Sequence, residues 1–218
     1  MVRLGALGDV VRTRFAFAGV RALYPDAKID WLIEDRASAG LVGLAELDEA
    51  VIVPRRRLRP GHPRVALRTL KVFVRELRER GYDLSIDFHG AFRGAFLTWA
   101  AGIPVRVGYD LPFAKEGSRH LLTHRLRISN AHVSRFERNA ALVRFLGGEV
   151  PSAPAALTLG NAPASLPELP ERFALIHPGT SPKTSYKRWE AERFGEVARK
   201  LGTESYMVDS AAELQAAW

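Results

Sequence analysis

Short apolar runs that read as strands alternate with longer runs of helical period along most of the chain. That alternation constrains the fold more than any other feature. A helix is predicted from Val10 to Leu23, with Val11, Phe15, Ala18 and Ala22 as its apolar stripe, and Tyr24-Pro25-Asp26 ends it. Ala27 to Ile33 reads as a buried strand, Asp35 caps a short helix through Leu44, and Ala50 to Val53 is a second strand. A helix then starts at Pro63 with Leu67, Leu70, Val74 and Leu77 on its buried side, and Gly81 closes it. Strand Tyr82–Phe88, helix Ala91–Ala101, strand Arg106–Tyr109 and helix Val133–Leu146 follow. Strands alternating with helices through short connections imply an α/β fold: a mostly parallel sheet covered on both faces, with right-handed crossovers.

The texture changes after residue 150. Five prolines (Pro151, Pro154, Pro163, Pro167 and Pro170) fall among alanines, which reads as a connecting segment over 151–171. A second unit opens at 172 and runs to 218. Phe173 to His177 is a strand, Pro178-Gly179-Thr180-Ser181 a polar turn, and Glu190 to Leu201 a helix behind Lys187-Arg188-Trp189. Residues 1–150 make up the first unit.

The front of the chain holds the most suggestive loop, Arg3-Leu4-Gly5-Ala6-Leu7-Gly8-Asp9. In open α/β sheets, ligands bind in loops at the carboxyl ends of strands. The glycine spacing is a poor match to a dinucleotide fingerprint. Asp9 is therefore read either as the cap of the first helix or as a catalytic carboxylate held where that helix begins.

The 218 residues carry 32 Lys and Arg against 24 Asp and Glu, a formal charge of +8. The excess suits an anionic partner or a basic solvated face. The loop arginines Arg55, Arg56, Arg57 and Arg59 are stronger anion candidates than Arg75, Arg78 and Arg80, which are expected to face solvent. Cysteine is absent, which excludes disulfides and thiolate chemistry. No apolar run reaches the roughly 18 residues that suggest a membrane-spanning helix. A nucleic-acid-binding role lacks a motif or aromatic interleaving among the basic residues.

The front loop, Asp87-Phe88-His89-Gly90, Arg106-Val107-Gly108-Tyr109, and His177-Pro178-Gly179-Thr180-Ser181 followed by Lys187-Arg188-Trp189 together resemble glycosyltransferase family 9, the ADP-heptose:lipopolysaccharide heptosyltransferases. The resemblance runs from Arg3 to about Leu201. It implies a GT-B fold, with an acceptor-binding Rossmann-like domain followed by a nucleotide-sugar-binding one. It implies inverting, metal-independent transfer from ADP-heptose, with no cofactor and with Asp9 as general base. Gly8, Arg56, Arg57, Arg59 and Lys115 match the family's acceptor side, and Thr180, Ser181 and Lys187 its contacts to the donor diphosphate. His89 and His177 are expected to be structural, and Trp189 a packing anchor. The implied partners are the nucleotide-sugar and the anionic lipopolysaccharide core, bound by a cytoplasmic monomer that can touch the inner face of the inner membrane.

Two departures qualify the match. Only Met1 and Val2 precede Arg3, where the family carries several apolar residues of its first strand, so a shortened central strand is expected. After Leu201 the family's later donor-site segment has no counterpart, and the chain is expected to be C-terminally truncated. The alternative function is therefore an inactive remnant, or an acceptor-binding module that holds anionic glycan without catalysis.

Overall fold

The computed structural model describes residues 1–58, 63–151, 170–179, 186 and 188–207. The chain divides into two compact units, Met1–Gly160 and Asn161–Trp218. Most of the 151–171 connection, residues 152–169, lies outside the described residues, as do residues 208–218.

The first unit is organised around its first four residues. Val2 bridges in parallel to Leu32 on one side and to Asp87 on the other. Met1 O accepts from Leu32 N at 2.8 Å, and Val2 N donates to Ile86 O at 2.8 Å. This short segment joins β1 (Asp30–Glu34) and β2 (Glu49–Val53) to β3 (Leu84–Ile86), β4 (Val105–Tyr109) and β5 (His124–Leu126). All three named strand pairings in this unit are parallel. Every residue of β1 is buried, as expected for a strand deep in a sheet covered on both faces.

Helices α1 (Leu7–Leu23), α2 (Pro63–Glu79), α3 (Phe92–Ala100) and α4 (Arg135–Phe145) connect or follow these strands. Two apolar clusters form. One joins α1 and α4 through Phe17, Val20, Trp31, Phe88, Tyr109, Leu142 and Val143. The other joins α2 and α3 through Val2, Leu4, Val51, Phe73, Leu77 and Leu97.

The α1 stripe differs from the expected one. The buried residues are Val10, Thr13, Ala16, Phe17, Gly19 and Val20, whereas Val11, Phe15 and Ala18 are half-buried and Ala22 is exposed. The reason is that α1 packs against α4 as well as the sheet, so small and polar residues share its inner side. Gly19 lies at the closest approach: an added Cβ would collide with the Glu149 carbonyl oxygen and stand 2.9 Å from Val143 Cγ1. In α2, Phe73 and Leu77 are buried while Leu67 is 54% exposed, because the sheet-facing side turns away from the first helical turns. Arg75, Arg78 and Arg80 are exposed, as expected, but the last two are also tied down. Arg78 Nη2 donates to Ala100 O at 2.8 Å, and Arg80 reaches both Asp30 and Glu49.

Between α1 and α4 runs a buried polar chain. Thr13 Oγ1 donates to Asp9 O at 2.7 Å, Asn139 Nδ2 donates to Thr13 Oγ1 at 3.1 Å, and Tyr109 OH donates to Asn139 Oδ1 at 3.1 Å. Buried polar side chains that satisfy one another fix the register of the elements that carry them.

In the second unit, β6 (Phe173–Ile176) pairs in parallel with β7 (Glu204–Met207), and α5 (Ala191–Leu201) lies between them in sequence. Trp189 packs edge-on against Phe194, with ring centroids 5.5 Å apart. Arg193 stands over the same indole at 5.5 Å.

Gly19→Ala is expected to destabilise the first unit by about 1–3 kcal/mol, the usual cost of overpacking. Urea denaturation of the variant against the parent measures it.

Candidate active site

The site lies along the carboxyl ends of the parallel strands, where successive strand-to-helix turns face the same way. Leu4 leads into the first of these turns. Ala6 is the cap of α1 and makes no side-chain capping bond, so the capping reading of Asp9 does not hold. Asp9 instead sits in the first helical turn, where the helix dipole favours a carboxylate. Gly5 and Gly8 are not among the positive-φ glycines. An added Cβ at Gly8 would meet nothing nearer than Arg12 Nη1 at 3.9 Å, so neither backbone conformation nor packing within the chain calls for glycine there.

Three guanidiniums converge on the Asp9 carboxylate. Arg3 pairs with Oδ2, while Arg12 at 3.1 Å and Arg135 both reach Oδ1. Arg3 is buried, and its Nη1 also donates to Phe88 O at 2.7 Å. Arg12 and Arg135 are much more exposed. Burial pushes the Asp9 pKa up, but Arg3 and Arg135 outweigh it, and the net shift is downward. Arg3 in turn is pushed down by burial and supported by Asp9.

Next along the edge, Asp87 accepts the backbone N–H groups of His89 at 2.7 Å and Gly90 at 3.1 Å. Burial lifts its carboxyl to about 6 despite those bonds. His89 is pushed down to about 4, by burial first and then by Arg3, so its ring is neutral near pH 7. Lys115 follows β4 on an exposed loop whose backbone is tied to the same turn, Lys115 N donating to Gly90 O at 2.7 Å.

Beside these turns, the buried carboxylate of Glu34 holds Arg36 at 2.9 Å, Arg55 at 2.9 Å and Arg93 at 2.6 Å. Arg56 and Arg57 are exposed on the turn after β2 and line a cleft with Glu34 and Arg36. The carboxylates of Asp9 and Glu34 are thus each outnumbered by arginines, which leaves the edge cationic. A separate cavity of about 400 Å³ lies under Met1 at the amino ends of the strands, away from this edge.

Gly8 and Asp9 in the first turn of α1, and Arg56, Arg57 and Lys115 on the loops after β2 and β4, therefore all lie at the carboxyl ends of the strands of the first unit. Arg59, Thr180, Ser181 and Lys187 lie outside the described residues. Sequence reasoning missed Arg3, Arg135 and the Glu34 cluster. An arginine inside an otherwise apolar central strand was the available signal for Arg3. Nothing local marks Arg135, which meets Asp9 only through the packing of α4 on α1.

The profile of glycosyltransferase family 9 (heptosyltransferase) matches residues 70–212, more than half of the chain. Lipopolysaccharide heptosyltransferase 2 of Escherichia coli K12 is 27% identical over 103 residues, covering 47% of this chain and 28% of that protein. Lipopolysaccharide heptosyltransferase 1 of E. coli strain RS218 is 26% identical over 126 residues, covering 57% and 39%. The matches thus span well under half the length of these curated relatives. Among solved structures, E. coli heptosyltransferase WaaC with ADP-2-deoxy-2-fluoro heptose superposes with a TM-score of 0.71 at 24% identity, covering 96% of this chain and 68% of that one. The family 9 glycosyl transferase of Veillonella parvula DSM 2008 gives 0.70 at 22%, covering 99% and 63%. The α/β architecture is of the GT-B type found in such heptosyltransferases.

Asp87→Asn keeps the oxygen that accepts from His89 and Gly90 and removes the ionisation. The folded carboxyl titrates near 6 against an ordinary 3.8. Ionisation therefore opposes folding progressively as pH rises from about 4 to 6, and fully above that. The variant is expected to gain about 2–3 kcal/mol over the parent between pH 4 and pH 7.5. Urea denaturation at both pH values checks the sign and the size.

Proposed function

This chain belongs to glycosyltransferase family 9, and we propose that it serves heptosyl transfer from ADP-heptose to the anionic inner core of lipopolysaccharide. Asp9 is the general base. As the acceptor hydroxyl oxygen bonds to the anomeric carbon, its proton passes to Asp9. The anomeric C–O bond breaks with its electron pair leaving on the diphosphate, and configuration inverts. A carboxylate within about 3 Å of the hydroxyl is what this step requires. The observation that carries the reading is the placement of Asp9: a partly buried carboxylate at the carboxyl edge of the central strand, in a row of cationic turns.

The acceptor's negative groups fall to Arg56, Arg57, Arg59 and Lys115, with Gly8 giving the saccharide room. Arginine suits this work because its planar fork meets phosphate and carboxylate bidentately. Thr180, Ser181 and Lys187 hold the donor diphosphate, and the lysine offsets charge building on the leaving group. The reaction proceeds without a metal ion, as the family resemblance implies. Among the described residues no helix is long and apolar enough to cross a membrane. The proposed setting is cytoplasmic, with a monomer meeting its lipid-linked acceptor at the inner face of the inner membrane.

A second reading is favoured by one observation. Every described candidate residue for the acceptor and the base lies in the first unit, Met1–Gly160. That unit can hold anionic glycan without transferring sugar.

The test is a transfer assay of the chain with ADP-heptose and deacylated lipopolysaccharide core, alongside isothermal titration with each. Asp9→Asn is expected to lower the transfer rate by about 10²–10⁴-fold while core binding persists. Binding of the core by the parent with no transfer at all supports the second reading. Transfer undiminished in Asp9→Asn overturns the role of Asp9.

A further inference from the structure

A base needs a lone pair free to take a proton, and on Asp9 Oδ1 two guanidiniums already occupy both. Oδ2 is held by Arg3, whose guanidinium is buried and anchored a second time on Phe88 O. Oδ1 is shared by Arg12 and Arg135. The two sides differ in how easily they release. The Arg3 side chain is 6% exposed, whereas those of Arg12 and Arg135 are 43% and 55% exposed. Guanidiniums at the surface can exchange one anion for another, because solvent screens both states and neither leaves a charge stranded.

The position of Arg135 is set by the fold. Asp9 and Thr13 stand one turn apart on α1, and Arg135 and Asn139 stand one turn apart on α4. The buried Asn139–Thr13 bond at 3.1 Å locks the two helices in register, and that register lays Arg135 across Asp9. Helix stability does not ask for a cation there. Arg135 opens α4 behind the Ser134 cap, and a positive charge in the first turn opposes the helix dipole. The charged and titratable groups facing Asp9 are Arg3 from the central strand, Arg12 from α1, Arg135 from α4 and His89 from the turn after β3.

We propose that Arg135 is a latch on Asp9 that the acceptor's own negative charge opens. The guanidinium leaves Oδ1 for a phosphate or carboxylate of the acceptor, and Oδ1 then takes the proton of the attacking hydroxyl. Arg3 stays on Oδ2 and holds the carboxylate in place. The base is thus uncovered only when an anionic saccharide is bound, and neutral saccharides find it capped. The inference rests on the acceptor and base roles proposed above.

The test follows the Asp9 carboxyl by carbon-13 NMR in chain labelled at aspartate, as the parent and as Arg135→Gln and Arg12→Gln. Each is titrated alone and with saturating deacylated lipopolysaccharide core, or with the same core after phosphate removal and amidation of its carboxylates. Arg135→Gln is expected to raise the Asp9 pKa in the free chain, and Arg12→Gln to raise it less. The charged core is expected to raise it in the parent, and to move it less than half as far in Arg135→Gln. The neutralised core is expected to leave the parent unmoved. In the transfer assay, the kcat/KM preference for charged over neutralised core is expected to fall at least tenfold in Arg135→Gln.

An unshifted Asp9 in free Arg135→Gln overturns the latch. So does charged core that binds the parent and leaves Asp9 unmoved, and that result leaves the acceptor reading standing. Failure of the core to bind any variant removes the acceptor reading and the latch together.

Discussion

A guanidinium buried in the central strand needs a counter-charge, and the site is arranged around how Arg3 finds one. Arg3 follows Val2, the residue that joins the two halves of the sheet, so its position cannot drift. Its side chain reaches Phe88 O at the end of one neighbouring strand and Asp9 in the first turn of α1. Breaking such a buried pair by removing one partner leaves an uncompensated charge and is typically costly. The same pairing that lets the strand tolerate arginine therefore fixes the carboxylate at the carboxyl edge of the sheet, where parallel α/β folds present ligand sites. Structure and chemistry share one interaction.

Around that fixed point the edge is deliberately over-supplied with cations. Glu34 is buried among three arginines as Asp9 is, and in both clusters the carboxylate organises guanidiniums that retain unspent positive charge. Repulsion among them is relieved by the carboxylate, and the excess is available to an anion. The helix pair adds precision. The Thr13–Asn139–Tyr109 chain ties α1, α4 and β4 together just inside the edge, so the exposed ends of the helices inherit a defined register.

The alternation of strands and helices was legible in the sequence because period 2 and period 3.6 patterns report burial directly. The order of elements in the first unit follows that reading, and so does the parallel sheet. What escaped had physical causes. Period alone puts the α1 stripe at Val11, Phe15, Ala18 and Ala22, but that helix is enclosed by a sheet and a second helix, and Gly19 and Thr13 are inside it. The strand His124–Leu126 has two exposed residues out of three, so it carries no apolar signal. Asp9 was legible as a residue of interest from the glycine loop beside it. Its three arginines were not, because Arg3 is six residues before it and Arg135 far after it, and only the tertiary packing of α4 on α1 unites them. The donor-side residues Thr180, Ser181 and Lys187 lie outside the described residues, and their roles rest on the family resemblance.

The central claim is that Asp9, steadied by Arg3, is the base that meets an anionic saccharide. A crystal structure of the chain with deacylated, phosphorylated lipopolysaccharide core tests it most directly. The account predicts an acceptor hydroxyl within about 3 Å of Asp9 Oδ1, with Arg3 still on Oδ2 and Arg135 turned to a phosphate or carboxylate of the saccharide. A saccharide seated elsewhere, or seated at this edge with all three arginines still on Asp9, would contradict it.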